Sequence, residues 1–316
     1  MEVLDLTKFP CAPVLLTVFN RPHETRRVLA CFRRVRPATI FIAADGPRTG
    51  LVADQALCEE VRSIVTGQID WPAKVMIDFA PRNQGLRRRM ASAISWALRH
   101  EDRVIVLEDD CLPDPSFFRF CTELLERYAD DQRVGVITGD NFQPEGFTCN
   151  ASYYFSRFPH CWGWATWRRA WELYDDKMSD WPAIRETGWL KDLFPHRLEE
   201  LYWRQIFDET YRGKIQSWAY RWTYSCWRWQ MLTATPAFNL VTNIGIGAAA
   251  TNTRDAELGK HGLAAEALSF PLVHPANVLR NISADGYAQQ HAFGQAKDRS
   301  LQGRLHRLIA KLTRSE

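Results

Sequence analysis

The chain has 316 residues, with 40 Lys and Arg against 37 Asp and Glu. A formal charge of +3 is too small for a protein that coats nucleic acid, so no nucleic-acid partner is expected. At roughly 150 residues per domain the length fits one large domain or two closely joined halves. The apolar run from Pro13 to Phe19 falls well short of the ~20 residues that cross a bilayer, and no basic leader precedes it. Together with eight scattered cysteines (11, 31, 58, 111, 121, 149, 161 and 226), none in a C-x-x-C pair, this points to a cytoplasmic protein with reduced thiols and no zinc site.

In chain order, Val14 to Phe19 reads as a strand, followed by Asn20-Arg21-Pro22 and a helix carrying Val28, Leu29, Phe32 and Val35. Pro22 suits a first helical turn, where its missing N–H costs nothing. The cycle repeats with Thr39 to Ala44 as a strand, Ala53, Leu57, Val61 and Ile64 on a helix, and Val75 to Phe79 as a strand. A helix from Leu86 through Met90, Ile94 and Ala97 follows, then a strand from Arg103 to Leu107. Asp114-Pro115 opens the next helix, and Val134 to Thr138 closes the series as a strand. Short continuous apolar strands alternating with amphipathic helices predict an α/β fold with a mostly parallel sheet covered on both faces.

Ligands of such sheets bind beyond the carboxyl ends of the strands. The exits are Asn20-Arg21, Asp45-Gly46, Arg82-Asn83-Gln84-Gly85 and Glu108-Asp109-Asp110. Three consecutive carboxylates after a buried strand repel one another, and a hard divalent ion such as Mg²⁺ or Mn²⁺ would resolve the conflict. The alternative is a solvated acidic turn ahead of the helix that Asp114 starts. Asp45 is either a turn residue or an acceptor for a base N–H. The arginines of Gly85-Leu-Arg-Arg-Arg89 open a helix, where phosphate is favoured, or form a solvated face.

These residues resemble GT-A-fold glycosyltransferases, in particular the alpha-mannoside N-acetylglucosaminyltransferase I group and its bacterial relatives. The resemblance is carried by VIVLEDDCLPDPSFFRFCTELLERY, Asn20-Arg21-Pro22, Ala44-Asp45-Gly46, Asn83-Gln84-Gly85-Leu86, Ala93-Ile94-Ser95-Trp96 and Thr138-Gly139-Asp140-Asn141. In the second half it continues through WGWATWRRAW from Trp162, NLVTNIGIG from Asn239 and Ala250-Thr251-Asn252-Thr253, covering about residues 12 to 275. It implies a Rossmann-like donor half over residues 1–144, a Trp-rich α+β acceptor half over 145–280 and a tail from 281. It also implies a metal-dependent, inverting transfer of GlcNAc or another hexose from a UDP-sugar to a glycan, lipid-linked saccharide or glycosylated metabolite. In that reading Asp45 meets the base, Glu108 and Asp109 lie near ribose or donor sugar, Asp110 is the direct Mn²⁺ (or Mg²⁺) ligand, and Arg21 and Arg88 face the diphosphate.

One position departs from the pattern. Where the group carries a Trp-Asp-Tyr-Gln-Trp-like segment, this chain reads Ser217-Trp218-Ala219-Tyr220-Arg221-Trp222. An inverting transfer needs a general base, and Ala219 cannot take a proton. Either Ala219 is a substitution for Asp, or the base has moved to Asp208, Glu209 or Asp175-Asp176, or the protein binds sugar nucleotide or glycan without turnover. A sugar-1-phosphate nucleotidyltransferase ranks below these, because no glycine-rich activating loop with Arg and Lys lies near the N-terminus.

Of 13 tryptophans, 11 fall between Trp162 and Trp229. Most are expected in the core, with Trp162, Trp164 and Trp218 as candidates for an acceptor platform. His274 reads as a structural residue, or as a second metal or diphosphate contact. From Asp298 the tail sets Leu301, Leu305, Leu308, Ile309 and Leu312 opposite Arg299, Arg304, Arg307, Lys311 and Arg314. Such a basic amphipathic segment can lie on the inner face of a membrane as a peripheral contact, dock on its own domain, or pair with a second copy in a homodimer.

Overall fold

The structure is a computed structural model and describes residues 10–245 and 263–293. The tail segment 298–316 and the Ala250–Thr253 motif lie outside the described residues.

The first half runs β1 (Val14–Val18), α1 (Pro22–Val35), β2 (Thr39–Ala44), α2 (Val52–Gly67), β3 (Lys74–Phe79), α3 (Leu86–His100), β4 (Arg103–Glu108), β5 (Cys111–Pro113), α4 (Pro115–Arg127) and β6 (Val134–Thr138). The second contains β7 (Tyr153–Ser156), β8 (Trp164–Trp167), short helices α5 (Arg168–Trp171), α6 (Trp181–Ile184) and α7 (Trp189–Leu193), then α8 (Arg197–Tyr211) and α9 (Trp218–Arg228). It ends in β9 (Leu232–Pro236), β10 (Val241–Asn243), α10 (Ile282–Ala288) and a π-helical turn, Gln289–Phe293.

Eight strands form one sheet in the order β3-β2-β1-β4-β8-β6-β9-β7. Only β8 and β7 run against the others, so the sheet is mostly parallel, as the alternating pattern predicts. The two halves share this sheet: β8 inserts between β4 and β6, and β9 continues beyond β6. Neither insertion is visible in local periodicity. Two further short strands, β5 and β10, pair antiparallel beyond the end of β4.

The strands are apolar throughout because both faces are covered. Val14, Leu16 and Val18 pack with Val28, Phe32, Ile64 and Leu124 from α1, α2 and α4. Leu15, Phe41 and Val106 face the other way, against Ile94 of α3, Trp203 of α8 and Trp222 of α9. Local signals set the helix starts. Asp114 accepts from Ser116 N at 2.8 Å ahead of Pro115, and Ser217 caps α9 by accepting from Tyr220 N.

Candidate active site

Parallel register brings the strand exits side by side. Thr17 of β1 pairs with Glu108, Val18 with Ala44, and Ala44 with Phe79, so the segments after β1, β2, β3 and β4 open on one edge of the sheet. Asp109 is buried and accepts the Phe19 N–H at 2.9 Å. The Arg21 guanidinium donates to Asp109 at 3.3 Å and also to Asp110 in a close ion pair. Behind Asp110 the chain is zipped: its carbonyl accepts Ile244 N at 2.8 Å, directly beyond the β5–β10 ladder. Gly245 lies so close that a Cβ there would stand 2.1 Å from the Asp110 Oδ2.

The electrostatics of the triplet follow from this crowding. Burial, then repulsion from neighbouring carboxylates, holds Glu108 and Asp109 well above the ordinary carboxylate range. Burial alone would lower Arg21, but the charges of Asp109 and Asp110 outweigh it and leave the guanidinium above its ordinary value. One fixed cation thus serves three carboxylates, and oxygen donors short of positive charge suit a hard divalent ion. Among the described residues no group of three or more His, Cys, Asp or Glu side chains could cage a metal by itself. An ion held at Asp110 would therefore take most of its ligands from diphosphate and water, as Mg²⁺ commonly does.

Asp45 holds the turn at the strand exits. Its buried carboxylate accepts from Gly46 N at 2.8 Å, Gln84 N at 2.8 Å, Gly85 N at 3.1 Å and Asn83 Nδ2 at 3.1 Å. With these four donors it ties the β2 exit to the β3 exit, the turn role that stood beside contact with a base. The arginine run divides similarly. Arg87 pairs with Asp176 at 2.6 Å and buried Arg89 with Asp78 at 2.7 Å, and only Arg88 stays exposed.

Ala219 occupies the first turn of α9, half-buried against the core. Its neighbour Trp218 stacks on Trp164 at 5.6 Å, and Trp164 pairs with Val106, two residues before Glu108. The alternative bases are committed elsewhere. Asp208 accepts from Arg185 Nε at 2.8 Å, from its Nη2 at 3.1 Å and from the Trp181 indole at 3.1 Å. Asp176 is held by Arg87, Asp175 accepts the Lys177 N–H at 2.9 Å, and Glu209 accepts from Gln205 at 3.0 Å.

Of the three platform candidates, Trp164 and Trp218 are core: they are 1% and 2% exposed and stack on each other, leaving no ring face for a sugar. Trp162 is half-buried at the rim. His274 sits beside the edge strand β7, with Nδ1 against the Tyr153 hydroxyl at 3.0 Å and Nε2 near Glu123 at 3.5 Å, a structural placement with both nitrogens engaged. A fourth carboxylate at the site's edge went unselected by sequence reasoning: Asp140, after β6, is 1% exposed and accepts the Trp162 N–H at 3.0 Å. Its signal was present in Thr138-Gly139-Asp140-Asn141, but a lone Asp after a strand is indistinguishable from a turn.

No protein-family model matches the chain, and no curated protein sequence matches it. Among solved structures it is similar to the galactosyltransferase LgtC in complex with donor and acceptor sugar analogues, at 14% identity and TM-score 0.30 over 55% of this chain and 64% of that one. It is also similar to mouse xyloside xylosyltransferase 1 in its apo form, at 12% identity and TM-score 0.35 over 68% of this chain and 81% of that one. The chain thus spans under two thirds of the galactosyltransferase's length.

Proposed function

We propose that the chain is a GT-A-type, metal-dependent, inverting glycosyltransferase that moves a hexose such as GlcNAc from a UDP-sugar to the hydroxyl of a glycan, a lipid-linked saccharide or a glycosylated metabolite. The supporting observation is the charge-deficient triplet Glu108-Asp109-Asp110 clamped by Arg21 at the carboxyl edge of the sheet. Departure of a sugar from a diphosphate builds negative charge on the leaving group. A Mn²⁺ or Mg²⁺ ion held by Asp110 would supply the positive charge that stabilises it. Arg21 contributes a second, fixed positive charge beside the same position. Asp109, bonded to the Phe19 N–H and Arg21, orients that guanidinium.

In this reading proton removal from the attacking hydroxyl has no assigned residue, because Ala219 stands where a base is expected. With Ala219 at the base position and Asp208, Asp176 and Glu209 engaged in other contacts, a second reading is supported: a protein that binds donor and glycan without turnover. Two measurements decide. A thermal-shift panel of UDP-sugars is expected to raise the melting temperature only when Mn²⁺ is present, because a ligand of the native state stabilises it according to concentration over Kd. No metal-dependent shift with any nucleotide diphosphate removes both readings. Ala219→Asp is expected to raise transfer by on the order of 10² or more, the usual contribution of a general base. Donor binding with no transfer in that variant selects the binding protein.

A further inference from the structure

The exit of β6 and the entry to β8, beside the acidic triplet, carry half-buried rings. Phe142 follows β6, and His160 and Trp162 precede β8. Phe142 packs edge-on against His160 at 4.6 Å and against Trp162 at 5.6 Å, with interplanar angles of 75° and 78°. Phe293 stacks on His160 at 5.7 Å and 10°. Trp164, two residues on, is buried, so the half-exposure of Trp162 is not simply the habit of this segment.

The backbone beneath these rings is fixed by buried polar groups. Asp140 accepts the Trp162 N–H at 3.0 Å, and the Gly163 carbonyl accepts the Gly139 N–H at 2.7 Å. Asn141, 6% exposed, donates to the Pro236 and Ala237 carbonyls at 2.8 Å each, and its own N–H is taken by Asn239 at 3.1 Å. Gly163 has φ +73°, and a Cβ there would stand 2.7 Å from Val241 and 3.2 Å from Leu107, the residue before Glu108. The backbone under the rings is thus tied down from both strands, and Gly163 lies against Leu107, the residue before Glu108. Buried Asp and Asn side chains spent on holding a turn mark a surface whose ring positions matter, since a binding site works best when its contacts are pre-set.

We infer that Phe142 and Trp162, backed by His160, form the acceptor subsite and that its occupant is a neutral pyranoside, whose apolar C–H face lies on the Phe142 and Trp162 rings while its hydroxyls reach toward the triplet. Perpendicular rings present a corner instead of a slot, which suits a ring-shaped unit over an extended lipid or peptide chain. This rests on the glycosyltransferase reading, and Asp140 acts in it as a positioning residue through the Trp162 backbone.

The test is binding of the full chain to a glycan array of hexopyranose-terminated oligosaccharides, followed by titration of the strongest glycan, with UDP and Mn²⁺ binding measured in parallel. Trp162→Ala and Phe142→Ala are expected to weaken glycan binding by on the order of tenfold or more, with Trp162→Phe retaining most of it. Asp140→Ala, which removes the acceptor for the Trp162 N–H, is expected to weaken glycan binding, and Asp140→Asn, which keeps an acceptor there, to restore it. Wild-type binding to no glycan, or equal binding by Trp162→Ala and Phe142→Ala, overturns the subsite. Glycan binding that is lost in these variants while UDP never binds keeps the subsite and removes the transferase reading instead.

Discussion

Asp54 and Asp45 are both buried carboxylates near the site, yet their surroundings assign them different chemistry. Asp54 accepts Arg48 Nε at 2.5 Å and Nη2 at 2.8 Å, and Asn20 Nδ2 at 2.9 Å, so it anchors the residue next to Arg21. The Arg48 hydrogen bonds, against an opposing effect of burial, hold its carboxyl down at about 2. A depressed folded value stabilises the protein above the unfolded value of ~3.9 and loses that contribution as pH falls through it toward the folded value. Asp54→Asn is thus expected to be less stable near neutral pH, by on the order of 1 kcal/mol because Arg48 is half exposed, and to lose less on acidification. Urea unfolding of both proteins from pH 7 to pH 2 checks it; parallel curves would count against the pair. Asp45 shows the limit of reading such residues from sequence. Its place after a strand was legible, but the four donors that saturate it come partly from Gln84 and Gly85, some 40 positions away.

Among the elements, the β5–β10 ladder has the most direct bearing on the chemistry, because it backs Asp110 with Gly245. A side chain at 245 would displace the Asp110 carboxylate while leaving the main sheet untouched. Gly245→Ala is expected to weaken Mn²⁺-dependent UDP binding by about tenfold or more with a melting temperature close to the native one. Binding at native strength would show that Asp110 is not held from this side. Five of the six strands and the four helices of the first half were readable because apolar runs and Pro22, Asp114 and Pro115 mark them locally. The three-residue β5 and β10 carry no periodicity of their own and exist only through each other. The tryptophan segment was readable as core in bulk, but not ring by ring: whether Trp162 or Trp164 faces outward depends on where β8 begins.

For the molecule as a whole, the main sheet makes its two halves inseparable. The order β4-β8-β6-β9 leaves β6 with no neighbour from the first half. A fragment of residues 1–144 would expose one edge of β4 and leave β6 unpaired, with the α3 face stripped of α9. It is expected to show no cooperative thermal transition, checked by circular dichroism; a sharp transition would mean that this half folds alone.

The same strand order has a consequence for biosynthesis. β6 leaves the ribosome roughly 90 residues before β9, and β8 must slot between two strands already made. At ordinary elongation rates that interval is on the order of 5–20 s, during which the edge of β6 that β9 later covers stays open. Slow translation or a pause between Thr138 and Leu232 would lengthen the exposure, so the nascent chain's need for a chaperone is greatest while the tryptophan-rich segment is being made.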